Sequence, residues 1–400
     1  MNLTTGYPYS LINSGLPYNY AKLDKSVNAD VVIIGGGISG ALTAYYLINA
    51  GINCIVVDAR TIGLGSTCAS TSLLQYELDI HLCDLTNLIG WNAAMRSFRL
   101  CSQAIDTLQN IASTLNFHHF QKQPSLLFTD LKKDHKKLEL EFAARKKAGF
   151  DVQLLNETEI KDQFGFNSHS AILSLQGATT DAYMLTHALL QHGIKKGLQV
   201  FDRTEISKIT YNKSSLKLNT ANGCTISAKK IVNASGYEIS EFIEKKIVTL
   251  HSTYAIASEH SPPDTLPWKK KALLWNTADP YLYLRMTRDN RIIIGGRDED
   301  FYSPQKRDKL IKSKTAWLKR DFEKLFPEIN LTPEFSWTGT FGSTKDALPY
   351  IGTYIKTPHT YYALGFGGNG ITFSVIAAEI IRDMIMGKSN KNKLLFSFSR

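Results

Sequence analysis

A glycine-rich turn between two short apolar runs constrains this chain more than any other feature. Asp30-Val31-Val32-Ile33-Ile34 leads straight into Gly35-Gly36-Gly37-Ile38-Ser39-Gly40, with Ala44 four residues further on. An unbroken apolar run closed by glycines reads as a strand buried on both faces of a parallel sheet. Ile38 to Ala50 carries good helix formers and stops at Gly51, a residue suited to the C-cap. Cys54-Ile55-Val56-Val57-Asp58 supplies a second buried strand. Strand, turn, helix and strand in about thirty residues make a βαβ unit, whose crossover is right-handed.

Each small residue in the turn has a separate reason. Gly35 permits the tight turn, and Gly37 lets the backbone approach a pyrophosphate. Gly40 and Ala44 let the helix lie close to the sheet, so its first N–H groups and its dipole face the phosphates. Asp58 falls 18 residues past Gly40, where a carboxylate can accept both hydroxyls of an adenosine ribose. The chain is therefore expected to bind a dinucleotide.

Three further features favour FAD over a nicotinamide cofactor. Arg60 and Gly63-Leu64-Gly65-Ser66-Thr67 follow the acid at once, and such a loop can wrap a pyrophosphate from its other side. Val232-Asn233-Ala234-Ser235-Gly236 ends a strand with small residues, as needed where backbone passes a dinucleotide. Gly365-Phe366-Gly367-Gly368-Asn369-Gly370-Ile371-Thr372 precedes a helix near the end of the sequence. That helix N-terminus can hold the negative charge that builds on a reduced flavin. The expected cofactor contacts are Gly35, Gly37, Ile38, Ser39, Gly40, Asp58, Ala59, Arg60, Gly65, Ser66, Thr67, Ile206, Ala234, Gly236 and Gly367 through Thr372.

Four hundred residues exceed one ordinary core, so two domains are expected. The pattern predicts an α/β fold: a Rossmann-type FAD-binding domain interleaved with an α+β substrate domain built on an antiparallel sheet. The FAD-binding domain takes 29–90, 180–246 and 336–400. The substrate domain takes 91–179 and 247–335, and 1–28 form a polar, extended N-terminal arm. Helices are expected over Trp91–Leu115, Leu131–Lys147, Gln305–Phe326 and Gly370–Met386. Asn156 with Glu159 suggests a capping box, and Thr180-Asp181 can cap another helix, reaching Lys196 before Gly197.

Apolar residues make up 43% and charged residues 20% of the chain, and no apolar run approaches the roughly 18 residues of a membrane span. The first residues lack the basic start and apolar block of a signal peptide, so the expected compartment is the cytoplasm. Five cysteines without metal spacing fit a reducing compartment, and His118-His119 has no carboxylate at ligand spacing, so no metal is expected. The net charge is +10, part of it in the stretch Lys132-Lys133 to Lys146-Lys147. A solvated helix face accounts for such a run, and attraction of an anionic partner is the alternative.

The full set of motifs resembles the D-amino-acid-oxidase family of FAD oxidoreductases, from about residue 28 to 387, and within it the gamma-glutamylputrescine oxidase branch. Tyr283-Leu284-Arg285-Met286-Thr287, the strand Arg291 to Gly296, and Trp337-Thr338-Gly339-Thr340-Phe341 leading to Asp346, Pro349 and Gly352 carry this likeness. The resemblance implies oxidation of the C–H beside an amine nitrogen, with hydride delivered to flavin N5 and an imine left for water to hydrolyse. The cofactor performs the difficult step, and the protein orients the carbon and keeps the amine neutral. It places Tyr283, Arg285 and Phe341 in the substrate pocket.

The departures narrow the substrate. Amino-acid-specific relatives carry an arginine shortly after Trp-x-Gly to clamp a carboxylate; here Phe341 stands there, which favours a small amine, a polyamine conjugate or another secondary amine over a free amino acid. Sarcosine-oxidase-like members use a lysine above the flavin, whereas the matching strand here is Ile292-Ile293-Ile294. The electron acceptor is thus oxygen or another oxidant. The putrescine branch has an Arg-Asn-Gly-Gly stretch where this chain has Ala69-Ser70-Thr71-Ser72. Cys68 is expected to be a free buried thiol, with a thioether to FAD as the alternative, and Asp346 is expected to fix a turn. Two other functions stand beside amine oxidation: a tRNA-modifying flavoenzyme, given the basic charge, and an FAD-binding protein without turnover. Nothing resembling a nucleic-acid module accompanies the FAD motifs, so nucleic acid is not an expected partner.

Overall fold

The apolar run after Ala29 lies in the middle of a parallel sheet, where both of its faces are covered. The computed structural model describes residues 1–241, 243, 247–262 and 270–400. In it the strand Val27–Ile34 pairs in parallel with Cys54–Val57 on one side and Thr225–Asn233 on the other. Gln199–Phe201 extends the sheet beyond Cys54–Val57, and Thr360–Leu364 pairs in parallel with the last residues of Thr225–Asn233. Antiparallel strands Leu216–Thr220, Ile206–Tyr211 and Tyr350–Thr353 complete eight. Val31, Val32 and Ile33 are almost wholly buried, as a strand with packing on both faces requires. Helices Ile38–Asn49, Trp91–Thr114, Ala182–Ile194 and Gly370–Ile385 share one apolar core with this sheet.

The second sheet has nine strands. In order they are Thr4–Gly6, Pro333–Ser343, Thr249–Ser258, Ile292–Glu299, Tyr283–Met286, Leu273–Asn276, Ser125–Thr129, Ser170–Ser174 and Val152–Asn156. All its neighbours are antiparallel except Leu273–Asn276 with Ser125–Thr129. The helix Pro304–Leu325 covers one face, burying Leu318 and Phe322 completely. A small sheet of Leu73–Gln75, Gly177–Thr179 and Gln121–Lys122 joins segments near the middle of the molecule. The chain passes repeatedly between the two large sheets, as the glycine motifs at both ends of the sequence suggest.

Several local expectations hold. Asn156 caps Glu157–Phe164 in a reciprocal box with Glu159, at 3.0 and 2.8 Å, and Asp181 accepts from the Met184 N–H at 3.0 Å. Asp346 fixes its turn by accepting from the Leu348 N–H at 3.2 Å, and Arg400 holds its other oxygen at 2.8 Å.

Other segments differ from the sequence reading. The first 28 residues are more ordered than a polar arm. Thr4–Gly6 is an edge strand on Trp337–Gly339, Tyr9–Ser14 is a short helix, and Leu3, Tyr20 and Leu23 are buried. A three-residue strand and a six-residue helix are too short to leave a hydrophobic period in the sequence. Trp91–Thr114 packs with the helices of the parallel sheet, and Pro333–Ser343 sits in the nine-stranded sheet, so the boundaries expected at 91 and 336 fall elsewhere. The boundary at 246 lies outside the described residues. Within the basic stretch, Glu141 and Arg145 of the helix His135–Lys147 are fully buried, Arg145 bridging Glu141 at 2.7 Å and Glu77 at 3.2 Å. Its solvated face carries Lys136, Lys137, Lys146 and Lys147 together with His135, Glu139, Leu140 and Ala143.

Phe322 offers a direct check on the helix that closes the nine-stranded sheet. Phe322→Ala should cost about 3–5 kcal/mol, read as a lower urea midpoint with an unchanged slope.

Candidate active site

A cavity of about 300 Å³ runs between the two large sheets. Its residues come from the glycine turn, the loop after Asp58, the ends of three parallel strands, the facing surface of the nine-stranded sheet and the C-terminal glycine cluster.

At one end the backbone turns at Gly35, whose φ of +109° suits glycine. A side chain there would also strike the Ala234 carbonyl oxygen, 2.4 Å from an added Cβ. At Gly40 the crowding is greater, since an added Cβ would lie 1.8 Å from the Gly35 carbonyl oxygen. The helix Ile38–Asn49 therefore begins directly against the strand end, with its first N–H groups at the cavity. Thr67 closes over the turn, its Oγ1 accepting from the Ile38 N–H at 3.0 Å.

Asp58 stands at the end of the next strand. Its Oδ2 accepts from the Gly36 N–H at 2.6 Å and its Oδ1 from the Arg60 N–H at 2.8 Å. Burial pushes its carboxyl above the ordinary range, against the pull of those two donors. Arg60 forms a two-pronged pair with Glu238 at 2.9 and 2.6 Å, which holds the guanidinium above its ordinary value. Ser66 lines the cavity, and its buried Oγ has no partner among the described residues. An unpaired buried hydroxyl is costly unless a ligand satisfies it.

At the far end, Gly367–Asn369 forms a single turn that runs into the helix Gly370–Ile385. The Asn369 amide donates to the carbonyls of Gln75 and Glu77 at 3.1 and 2.8 Å, which fixes the helix start to the small sheet. Asp79 accepts from the Gly368 N–H at 2.7 Å and from the Tyr281 hydroxyl at 3.0 Å. The opposite wall holds Tyr281, Tyr283, Asp298, Trp337 and Phe341. Tyr283 lies across Gly295, its cross-strand partner, where an added Cβ would meet the ring at 2.2 Å. Phe341 stacks on His251 with centroids 5.1 Å apart, and the Trp337 Nε1 donates to the Ala69 carbonyl at 2.8 Å.

Gly35, Gly37, Ile38, Ser39, Asp58, Ala59, Arg60, Gly65, Ser66, Thr67, Ala234, Gly236 and Gly367 through Thr372 all line this one cavity. Gly40 supports it from behind. Ile206, on the strand Ile206–Tyr211, is not among its lining residues. Tyr283 and Phe341 line it, but Arg285 does not. Arg285 shares a strand face with Tyr283, yet the Ser70–Ser72 segment separates them, and the Thr71 carbonyl accepts from its Nε. It opens instead on a small second cavity beside Tyr9, His118 and Asp181, where burial lowers its guanidinium to about 10. Cys68 is buried, donates its thiol to the Gly65 carbonyl at 3.3 Å, and is pushed up to about 12 by that burial. Among the described residues no cluster could hold a metal ion, and no helix is long and apolar enough to cross a membrane.

The sequence reading missed Asp79, Tyr281 and Asp298. Asp298 follows Arg297, whose φ of +58° marks the irregular register between Ser252 and Tyr254 on the neighbouring strand. Such a bulge re-aims a side chain without leaving a pattern in the sequence.

A family model described as FAD dependent oxidoreductase, the DAO family, matches residues 30–384. The chain belongs to this family. Its cofactor is FAD, and the lone Ser66 hydroxyl, the glycine cradle and the two helix N-termini on one cavity fit such a dinucleotide. The gamma-glutamylputrescine oxidoreductase of Escherichia coli (strain K12) is 22% identical over 97% of this chain and 90% of its own length. Glycine oxidase of Bacillus subtilis (strain 168) is 22% identical over 92% of this chain and 96% of its own. Among solved structures, glycine oxidase from Geobacillus kaustophilus superposes with a TM-score of 0.80 at 19% identity, covering 93% of this chain and 99% of that one.

The closeness of the helix to its strand is open to test. Gly40→Ala would drive a methyl group into the Gly35 carbonyl, costing about 1–3 kcal/mol by overpacking. The variant should melt earlier and be purified with less bound flavin than the parent, measured by thermal denaturation and by the flavin-to-protein absorbance ratio.

Proposed function

We propose that the protein oxidises the C–N bond of a small amine, with FAD lying along the cavity from the Gly35 turn to the Gly367 cluster. In this reading the helix start at Gly37, Ile38 and Ser39 faces the pyrophosphate, and Gly65, Ser66 and Thr67 meet it from the other side. Asp58 takes the ribose hydroxyls, with Ala59 and Arg60 beside the adenosine and Ala234 and Gly236 under the dinucleotide. Gly367 through Thr372 present the second helix N-terminus to the flavin. Bound FAD supplies the oxidant, accepting hydride from the carbon beside nitrogen, so that the amine becomes an imine which water hydrolyses.

The work left to the protein is positioning and exclusion of water. Tyr283, Trp337 and Phe341 give an apolar wall against which the carbon chain can lie. The observation that carries the amine reading is the make-up of that wall. Tyr281, Tyr283, Phe341 and Asp298 line it, and the one arginine on the nearby strand is turned away behind Ser70–Ser72. A carboxylate-bearing substrate would find no guanidinium clamp there.

Anaerobic titration of the purified yellow protein with small amines and amino acids is the deciding experiment. Amines should bleach the oxidised flavin, and glycine and other free amino acids should do so far more slowly. Bleaching by amino acids alone would overturn the reading. Admission of air to the bleached sample then separates an oxidase, which regains its colour quickly, from a dehydrogenase. Replacement of Asp58 tests the placement of the dinucleotide. Asp58→Ala should weaken FAD binding about ten- to a hundredfold, as expected for losing charge-assisted hydrogen bonds, measured by fluorescence titration of the apoprotein. Unchanged affinity would refute the ribose role.

A further inference from the structure

One wall of the cavity carries a carboxylate whose position nothing in the fold explains. The Asp298 Oδ1 is buried, lines the cavity, and has no hydrogen-bond partner among the described residues. Other buried or half-buried carboxylates meet a cation: Asp346 meets Arg400, Asp321 meets Arg297, and Glu77 and Glu141 meet Arg145, although the Glu77 Oε2 is also left without a partner. The cations packed around Asp298 are already engaged. Lys314 binds Glu299 and donates to the Arg297 carbonyl at 2.7 Å, and Arg297 is held by Asp321.

A second carboxylate stands close enough to act on Asp298, although it is not among the residues that line the cavity. Asp79 lies at the open rim, held between the Gly368 N–H and the Tyr281 hydroxyl. Two aromatic rings stand with these acids: Tyr281 and Tyr283, with centroids 5.7 Å apart. Carboxylates together with the faces of tyrosines form an environment that attracts an ammonium group and the methylenes attached to it. A buried carboxylate oxygen is costly without a donor; Thr253 serves the Asp298 carboxyl, but its Oδ1 is left for a ligand to satisfy.

We infer that Asp298, supported by Asp79 and framed by Tyr281 and Tyr283, binds a second positive charge on the substrate, so that the preferred substrates are diamines. One nitrogen reacts while the other, protonated, is held by Asp298. This inference rests on the amine-oxidising reading and narrows it. It also assigns Asp298 to specificity, since it would act on a nitrogen remote from the carbon being oxidised.

The ionisation of Asp298 then gives a pH signature. Burial first, and then the nearby charge of Asp79, raise its carboxyl to about 7, with Thr253 and Lys314 acting in the opposite direction and Asp300 adding to the rise. Tyr281 and Tyr283 stay protonated, both raised by burial and by the neighbouring carboxylates. Below about pH 7 the free enzyme would carry a neutral Asp298, and its attraction for an ammonium would fall. Above that value the attraction is complete.

The test uses the FAD-loaded enzyme and three probes of equal length: a four-carbon terminal diamine, n-butylamine and gamma-aminobutyrate. Anaerobic flavin-reduction rates at varied concentration give a binding constant and a limiting rate for each. The diamine should bind roughly tenfold or more tightly than n-butylamine, with gamma-aminobutyrate weakest. In Asp298→Asn the diamine should lose that advantage, so that the ratio of its binding constant to that of n-butylamine falls by roughly tenfold or more, toward one. The diamine-to-monoamine ratio should rise through about pH 7 in the parent and be flat in the variant, because protonation of the reacting nitrogen is common to both probes. Flavin absorbance difference spectra, recorded before reduction, report binding independently of turnover. Equal handling of diamine and monoamine by the parent, or an equal effect of Asp298→Asn on both, would overturn the inference while leaving amine oxidation intact. If none of the three reduces or perturbs the flavin, both the inference and the reading beneath it fall.

Discussion

The contact on which the structure turns is the approach of backbone to backbone at Gly35, Gly40 and Ala234. Three segments meet there, and neither Gly35 nor Gly40 has room for a Cβ. Because they do, a helix starts at the very end of a buried parallel strand, and its unpaired N–H groups open on a cavity instead of on packed side chains. The dinucleotide site is thus a consequence of tight packing. The loop through Thr67 and the carboxylate of Asp58 then lock the turn from two sides, each by a hydrogen bond to a backbone N–H.

The other end of the cavity is built differently. The C-terminal helix is fixed by Asn369 and Asp79, side chains that reach from one sheet system to another. Asp79 touches both the start of that helix and Tyr281 on the facing wall. The start of that helix and the facing wall are therefore linked through Asp79. Beyond it the wall carries Tyr281, Tyr283, Trp337, Phe341 and Asp298.

The nucleotide end was legible in sequence because its requirements are local. Gly35, Gly40 and Asp58 lie within 24 residues, and each meets a constraint of backbone geometry or hydrogen bonding that few residue types satisfy. The C-terminal glycine cluster was legible for the same reason. The substrate wall was only partly so. Tyr283 and Phe341 reached the cavity, but Arg285 did not, because period-two alternation gives the face of a strand and says nothing of a loop lying across it. Asp298 and Asp79 escaped notice because a bulge aims one and long-range packing places the other. The N-terminal segment was misread as an arm for want of length: its strand is defined by Pro333–Ser343, more than 300 residues away in the chain.

The strand Thr360–Leu364 pairs with Thr225–Asn233 inside the parallel sheet, although more than 100 residues of sequence separate the two. A ribosome-bound chain that has already made the strands Val27–Ile34, Cys54–Val57 and Thr225–Asn233 still lacks this neighbour and the helix that follows it. Its edge stays open to other chains until the segment Thr360–Leu364 has been made. The cavity is complete only once that strand and the helix Gly370–Ile385 are in place, so a ligand that binds the finished fold, as FAD would, stabilises it over the incomplete forms.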